Sequence, residues 1–411
     1  MNDSKHILFI SYDGMTDPLG QSQVIPYLAG LSKYGFKFTI LSCEKKDRFE
    51  ENQSYVMALL KAHNIEWVPI YYHKSPQILS SIYDFYALKR KARFLCKEKK
   101  IDMVHTRPGV PTVVALWLKK KYGIKFLNDI RGFWADERVD GGMWNLTNLV
   151  FKTVYQFFKK HELECISYAD YNTCLTYKAK EEILGWPQVP KQLKIEVIPC
   201  SVDLQLFNSN NIDPVERSAM KAELNIKDDD FIITYLGSIG GWYLVDEMMA
   251  FFKSLEKVKP KAKFLFISPH RHEFITSAVA KFGIPAHKVL SRKAQRHEVP
   301  VLLSFSSYSI FFIKKCYSKI SSSPTKHGEI MAMGIPVITN DGVGDVSLIV
   351  NKYHGGVVLQ DLSLHCYDDL ALDIAKGLIF DHAEIIKGAN DFYSLDRAIA
   401  KYLNVYNHVL N

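Results

Sequence analysis

Short apolar runs alternate with longer amphipathic stretches along most of the chain. Residues 6–12, 36–43, 65–72, 101–106, 125–130, 170–175 and 195–198 read as strands. Between them, residues 21–34, 47–62, 76–98, 110–122 and 144–168 carry the helical period. Residues 199–214, rich in Asn, Ser and Asp, read as a linker, and the pattern then starts again. Strands are predicted at 231–236, 262–268, 288–290, 309–313 and 337–339, and helices from about 244, at 364–379 and in the tail to Asn411. Strands alternating with helices predict parallel, doubly wound α/β sheets, one in each half. Each half opens on the same sequence of strand, glycine loop and helix.

At 411 residues the chain is long enough for about two domains of ~100–200 residues each. It is 47% hydrophobic and 23% charged, which excludes a disordered chain. No run approaches the ~20 apolar residues of a membrane span, and the first strand follows the N-terminus with no apolar leader region. The seven cysteines are scattered with no C-x-x-C pair, as expected of reduced thiols in a cytoplasmic protein without a structural zinc site. The net charge of +8 gathers in Lys89–Arg93, Lys97–Lys100, Lys119–Lys121 and Lys159–Lys160. Solvated helix faces account for each run alone. Together they permit a peripheral contact with anionic membrane at its inner face. No nucleic-acid motif accompanies them.

The chemistry centres on residues 321–340, which read as loop, helix, turn and strand. Ser323 suits the N-cap, Pro324 the first helical position and Gly334 the position after the helix. A helix N-terminus after a strand in an open α/β sheet favours an anion. Lys326 adds a cation in the first turn and Glu329 a carboxylate on the same face. That pair suits a nucleoside diphosphate, with phosphate on the cation and ribose hydroxyls on the carboxylate. The plain alternative is a capped helix whose Lys326 and Glu329 pair with each other.

Two glycine loops follow strands. Gly14–Gly20 ends in Gly20, Gln21 and Ser22, where backbone N–H groups open a helix. Gly237, Ser238, Gly240 and Gly241 form a second loop with more glycine than a turn needs, suited to phosphate. A third loop, 128–142, packs Asp129, Arg131, Asp136, Glu137 and Arg138 with Phe133 and Trp134. Charges interleaved with aromatics suit a sugar, which stacks on rings and donates hydroxyls to carboxylates. A surface ion-pair loop is the plain alternative. His105 and Arg107 end another strand on the same rim, and Asp345 lies on the rim of the second half.

These residues resemble the family 4 retaining nucleotide-sugar glycosyltransferases of GT-B architecture. Pro324-Thr-Lys-x-x-Glu-x-Met-Ala-x-Gly-x-Pro-Val337 is similar to that family's donor-site helix. Val197–Asp203 with Phe207 resembles its interdomain signature, and Asp17–Gln23 and Asp129–Arg138 resemble loops of a subgroup. The resemblance covers essentially the whole chain. It implies two Rossmann-like domains facing across a cleft: 1–203 on the acceptor side, 204–390 binding the nucleotide sugar, and a helix in 391–411 packing back on the first.

Carried over, Lys326 holds the diphosphate and Glu329 the ribose. Gly20, Gln21, Gly237, Ser238, Gly240, Gly241, Ser322 and Thr325 lie beside the donor, and Arg292 supports Lys326. Asp129, Arg131, Trp134, Asp136, Glu137 and His105 are expected at the acceptor. Asp129 and Arg131 stand where many members place a His, and they join Lys326 and Glu329 as the expected catalytic group. Two features depart from the pattern. Ser321 replaces the first Glu of the usual Glu-x7-Glu pair, and Gly-Gly-Trp-Tyr replaces a basic residue after the second domain's first strand.

The expected activity is retaining, metal-independent hexosyl transfer from a nucleotide-diphosphate sugar to a hydroxyl of a glycan or lipid-linked glycan, in cell-surface polysaccharide biosynthesis. No cofactor is expected. A nucleotide-sugar epimerase of the same fold and a non-catalytic sugar-binding or scaffold protein are the alternatives. A phosphorylase is disfavoured by the chain's length and the lack of a cofactor-lysine motif.

Overall fold

The computed structural model describes residues 4–268 and 272–411. The chain divides into two compact units, residues 1–199 with 395–411, and residues 200–394. The first unit is built on seven parallel strands: β1 (His6–Ser11), β2 (Lys37–Glu44), β3 (Glu66–Tyr71), β4 (Met103–Thr106), β5 (Lys125–Ile130), β6 (Tyr171–Cys174) and β7 (Ile195–Val197). Their order is β3-β2-β1-β4-β5-β6-β7. The order reverses between β1 and β4, so the crossovers cover both faces. Residues of β1 alternate accordingly. Ile7 and Phe9 join the core under helix Ile25–Ser32, while Leu8 and Ile10 join the core under helices Gln77–Glu98 and Val110–Tyr122.

Helix Leu395–Leu410 completes the first of those cores with Ile399, Tyr402, Val405, Tyr406 and Val409. It lies so close to Ile25–Ser32 that a Cβ on Gly30 would stand 2.2 Å from the Ile399 side chain.

The second unit holds β8 (Phe231–Leu236), β9 (Ala262–Ile267), β10 (Val289–Arg292), β11 (Tyr308–Phe311), β12 (Val337–Asn340) and β13 (Gly356–Leu359). They form one parallel sheet, β10-β9-β8-β11-β12-β13, over a single core. The reversal falls between β8 and β11, beside the second glycine loop and the stretch that follows β11.

Local readings shift in several places. The helix expected at 21–34 is two helices, Pro18–Gln23 and Ile25–Ser32, because Pro26 has no N–H to continue the first. The loop 128–142 contains a helix, Trp134–Asp140, and the next helix starts at Leu149 rather than Trp144, where the Asn148 side chain accepts from Val150 N–H. The helix expected at 364–379 is present as Leu364–Lys376, ended by Gly377 at φ +96°, and the tail beyond it is two helices, His382–Tyr393 and Leu395–Leu410. Helices Tyr177–Leu184, Pro214–Glu223, His272–Phe282, Val299–Leu303 and Val346–Lys352, with β13, are additions that the sequence pattern does not indicate. Among the described residues no helix is long and apolar enough to cross a membrane.

Candidate active site

Helix Thr325–Ala332 starts one residue later than the sequence indicates. Pro324 occupies the N-cap, and the Ser323 hydroxyl accepts from Cys200 N–H at 3.3 Å instead of capping. Gly334 follows the helix at φ +71°, as the pattern requires. The helix has two working faces. His327 and Gly328 face helix His382–Tyr393. The His327 Nδ1 lies 2.9 Å from the Tyr393 hydroxyl, and a Cβ on Gly328 would meet the Tyr393 ring at 2.9 Å. Burial pushes His327 down to about 3, so it stays neutral and holds the helix in place.

The other face carries Lys326 and Glu329, both buried. They do not pair with each other. Glu329 Oε1 accepts from Arg296 Nη1 at 3.0 Å. Lys326 Nζ donates to the Tyr235 hydroxyl at 3.2 Å and lies 3.6 Å from the centre of the Tyr243 ring. Among the described residues no carboxylate comes within 4 Å of it. Burial holds the Lys326 ammonium well below the usual lysine value, against the opposing pull of Glu329. Burial also raises the Glu329 carboxyl, and Arg296 and Lys326 oppose that rise.

The second glycine loop lies against this lysine. Gly237 has φ +117°, and a Cβ there would stand 2.9 Å from Lys326 Nζ. The Tyr235 hydroxyl donates to Ser238 O, so one chain of hydrogen bonds links Lys326, β8 and the loop. Gly240 and Gly241 also take positive φ. Ser322 and Thr325 flank the helix start, half-buried. Lys326, Glu329, Gly237 and Ser238, singled out by the sequence pattern, therefore converge. Arg292 does not join them: its guanidinium is engaged by Glu223 at 2.9 Å and Glu298 at 3.0 Å. Arg296, from the same basic cluster, reaches Glu329, and nothing in the sequence spacing distinguishes the two. Lys319, also missed, lies buried with its Nζ 3.8 Å from the Trp242 ring centre. Ser321, in the place of the family Glu, donates to Ser318 O at 2.7 Å.

In the first unit the glycine loop wraps around a protein carboxylate. Glu44, fully buried, accepts from Met15 N at 2.7 Å, Thr16 N at 3.1 Å, the Thr16 hydroxyl at 2.5 Å and the Ser42 hydroxyl at 2.6 Å. Gly20 is needed because the loop's own backbone crosses it: a Cβ there would stand 2.3 Å from Gly14 O. Gln21 donates to Thr16 O at 3.1 Å. Glu44 is the internal anion that these N–H groups serve, and nothing in the sequence spacing signals it.

The predicted acceptor residues split into two groups. Asp129 is buried at the end of β5, accepting from Thr173 at 2.7 Å and from Tyr402 of the last helix at 3.1 Å. Burial alone would raise its carboxyl, but Arg131, His105 and Arg107 outweigh that and hold it well below the usual range. His105 is buried too, with Nδ1 2.8 Å from the Tyr406 hydroxyl, and burial lowers its pKa. Arg131 reaches the Gln23 side chain at 3.3 Å, and Arg107 donates to the Gln23 carbonyl. Asp136 takes bonds from Tyr155 and Lys159, both at 2.8 Å. These groups tie the rim to neighbouring helices. Trp134, Glu137 and Arg138, on the short helix beyond, remain partly open.

The family model described as Glycosyltransferase Family 4 matches residues 21–206, and the one described as Glycosyl transferases group 1 matches residues 216–371. No curated protein matches the sequence. Among solved structures, a glycosyltransferase from Rickettsia africae ESF-5 superposes with a TM-score of 0.72 at 17% identity, covering 100% of this chain and 99% of that one. Anabaena Alr3699/HepE in complex with UDP and glucose gives 0.67 at 12% identity, covering 98% and 99%. WaaG, a glycosyltransferase involved in lipopolysaccharide biosynthesis, gives 0.66 at 14% identity, covering 97% and 99%. With two parallel sheets of seven and six strands, each under flanking helices, and with both halves matched in order, the chain belongs to the family 4 glycosyltransferases of GT-B architecture.

Proposed function

We propose that the protein is a retaining, metal-independent glycosyltransferase. It would move a hexosyl group from a nucleoside-diphosphate sugar to a hydroxyl of a glycan or lipid-linked glycan. One observation carries the reading: the Lys326 ammonium is buried with no carboxylate within 4 Å among the described residues, beside a helix start and a glycine loop. A buried cation without a counter-ion is costly unless a ligand supplies the anion. A diphosphate supplies it, and Glu329 offers a carboxylate for ribose hydroxyls one turn deeper.

Cleavage of the donor leaves negative charge on the diphosphate. Lys326 and the first N–H groups of helix Thr325–Ala332 stabilise that charge without a metal. The leaving phosphate can take the acceptor's proton on the same face, which retains configuration and needs no separate base. The UDP and glucose held by the Anabaena relative and the involvement of WaaG in lipopolysaccharide biosynthesis favour the same donor class and a place in cell-surface polysaccharide synthesis. A cytoplasmic enzyme working at the inner face of a membrane fits that role.

The test is release of nucleoside diphosphate from UDP-, GDP-, ADP-, dTDP- and CDP-sugars in the presence of EDTA, with the product anomer assigned by NMR. Release from one donor with retained configuration supports the proposal. Inversion, or activity restored only by a divalent cation, contradicts it.

A further inference from the structure

The first unit contains an open apolar pocket that the donor chemistry does not use. It encloses about 420 Å³, within the roughly 300–1,000 Å³ of ligand-holding pockets. Its walls include Ile82 and Phe85 of helix Gln77–Glu98, Val113 of helix Val110–Tyr122, and Val154, Phe157 and Phe158 of helix Leu149–Tyr168. Ile82, Met143 and Phe157 line it and are also about half exposed, so it opens at the surface. Tyr12 and Trp134 line it as well, which sets it against the carboxyl end of β1 and the loop predicted to meet the acceptor.

One charged side chain lines this pocket among the described residues, Arg138. Its guanidinium carbon stands 3.9 Å from the Trp134 ring centre and 5.8 Å from that of Trp144. Its Nη1 lies 3.7 Å from the Met143 sulfur, and no carboxylate among the described residues is within 4 Å. Stacking fixes the fork and leaves most of its donors unused, the arrangement that suits a phosphate.

The outer face of helix Gln77–Glu98 extends the pattern. Leu79, Tyr83 and Tyr86 are exposed along the stripe that starts beside the pocket mouth, and Arg90, Arg93 and Lys97 continue it, exposed and without carboxylate partners among the described residues. Aromatic and aliphatic groups followed by cations match an anionic lipid surface rather than water.

We propose that this pocket seats the hydrocarbon chain of a lipid-phosphate acceptor, with Arg138 meeting the phosphate at its head. The acceptor role rests on the transferase reading above; the site itself does not. Apolar walls take the chain by displacing poorly bonded water, and the lone guanidinium pairs with the head group.

The full-length chain is titrated with dodecyl phosphate below its micelle concentration, with dodecanol and inorganic phosphate in parallel, following the fluorescence of Trp134 and Trp144. Saturable binding of dodecyl phosphate and none of inorganic phosphate is expected. Arg138→Gln should weaken dodecyl phosphate about tenfold, the worth of one charge-assisted hydrogen bond, and leave dodecanol unchanged. Ile82→Glu and Phe157→Glu, at half-exposed positions that tolerate a charge, should weaken both by at least as much.

Thermal shift with nucleoside diphosphates is run on every protein. No dodecyl phosphate binding by a chain that still responds to a diphosphate overturns this site and leaves the transferase reading standing. Binding unaltered by all three substitutions also overturns it. So does binding to anionic vesicles with none to the monomeric amphiphile, which would mean surface adsorption alone.

Discussion

Lys326 is the residue on which donor binding turns. Its ammonium has a tyrosine hydroxyl and two aromatic rings for company, and burial depresses its pKa. A buried charge without a close counter-ion carries a desolvation cost that an apolar side chain of similar shape does not. Lys326→Met is therefore expected to raise the melting temperature of the ligand-free second unit, by roughly 2–4 °C for each kcal/mol, while abolishing the shift caused by a nucleoside diphosphate. A fall in melting temperature would mean that the lysine holds the fold rather than a ligand.

The same residue sets a pH dependence. Its folded pKa lies below its unfolded one, so the unfolded chain binds more protons across that interval. Stability of the free protein should then rise with pH through the interval. A bound diphosphate raises the lysine's pKa again, so binding should take up a proton and weaken as pH rises. Calorimetric titration at mildly alkaline pH, in buffers of different ionisation enthalpy, measures that uptake directly, and zero uptake would contradict it.

The elements that carry these residues explain what the sequence revealed and what it hid. Helix Thr325–Ala332 was legible because its signals are local: a proline before it, a glycine at positive φ after it, and Lys326 and Glu329 three apart. The glycine loop after β8 was legible as an anomaly, but its reason needed coordinates. Gly237 holds φ +117°, which a side chain rarely adopts, and a Cβ there would also press on the end of Lys326. Gly237→Ala is expected to cost about 1–3 kcal/mol in backbone strain and to displace the lysine, weakening diphosphate binding more than it lowers stability. Equal binding by this variant would remove the loop from the site.

Partners remote in sequence stayed hidden. Glu44 fills the first glycine loop from 28 residues away, and Tyr402 reaches Asp129 across 273. No periodicity encodes such pairings. Arg292 and Arg296 differ only in which carboxylates the fold brings to them.

The whole chain is arranged so that its last helix completes its first unit. Tyr402 and Tyr406 of that helix bond to Asp129 and His105, and their rings fill the core beneath β1 and β2. Removing either large aromatic from a core costs about 3–5 kcal/mol, against a total stability of about 5–15 kcal/mol for a domain. A chain ending at Ser394 should therefore lose protection from hydrogen exchange across β1 to β7 while β8 to β13 stay protected. Native protection of the first sheet would contradict the assignment. The two-sheet architecture was readable from alternation alone, because both faces of a doubly wound sheet must be apolar. The return of the terminal helix came only with the family resemblance.

The most direct measurement is a thermal-shift panel with UDP, GDP, ADP, dTDP and CDP, with and without EDTA, on wild type, Lys326→Met and Glu329→Ala. A ligand at about 100 times its dissociation constant adds about 2.7 kcal/mol. Stabilisation of the wild type by one of these diphosphates, unchanged by EDTA and lost in both variants, is the result expected of a donor site built on Lys326. No stabilisation by any of them, or the same stabilisation in Lys326→Met as in the wild type, would contradict it.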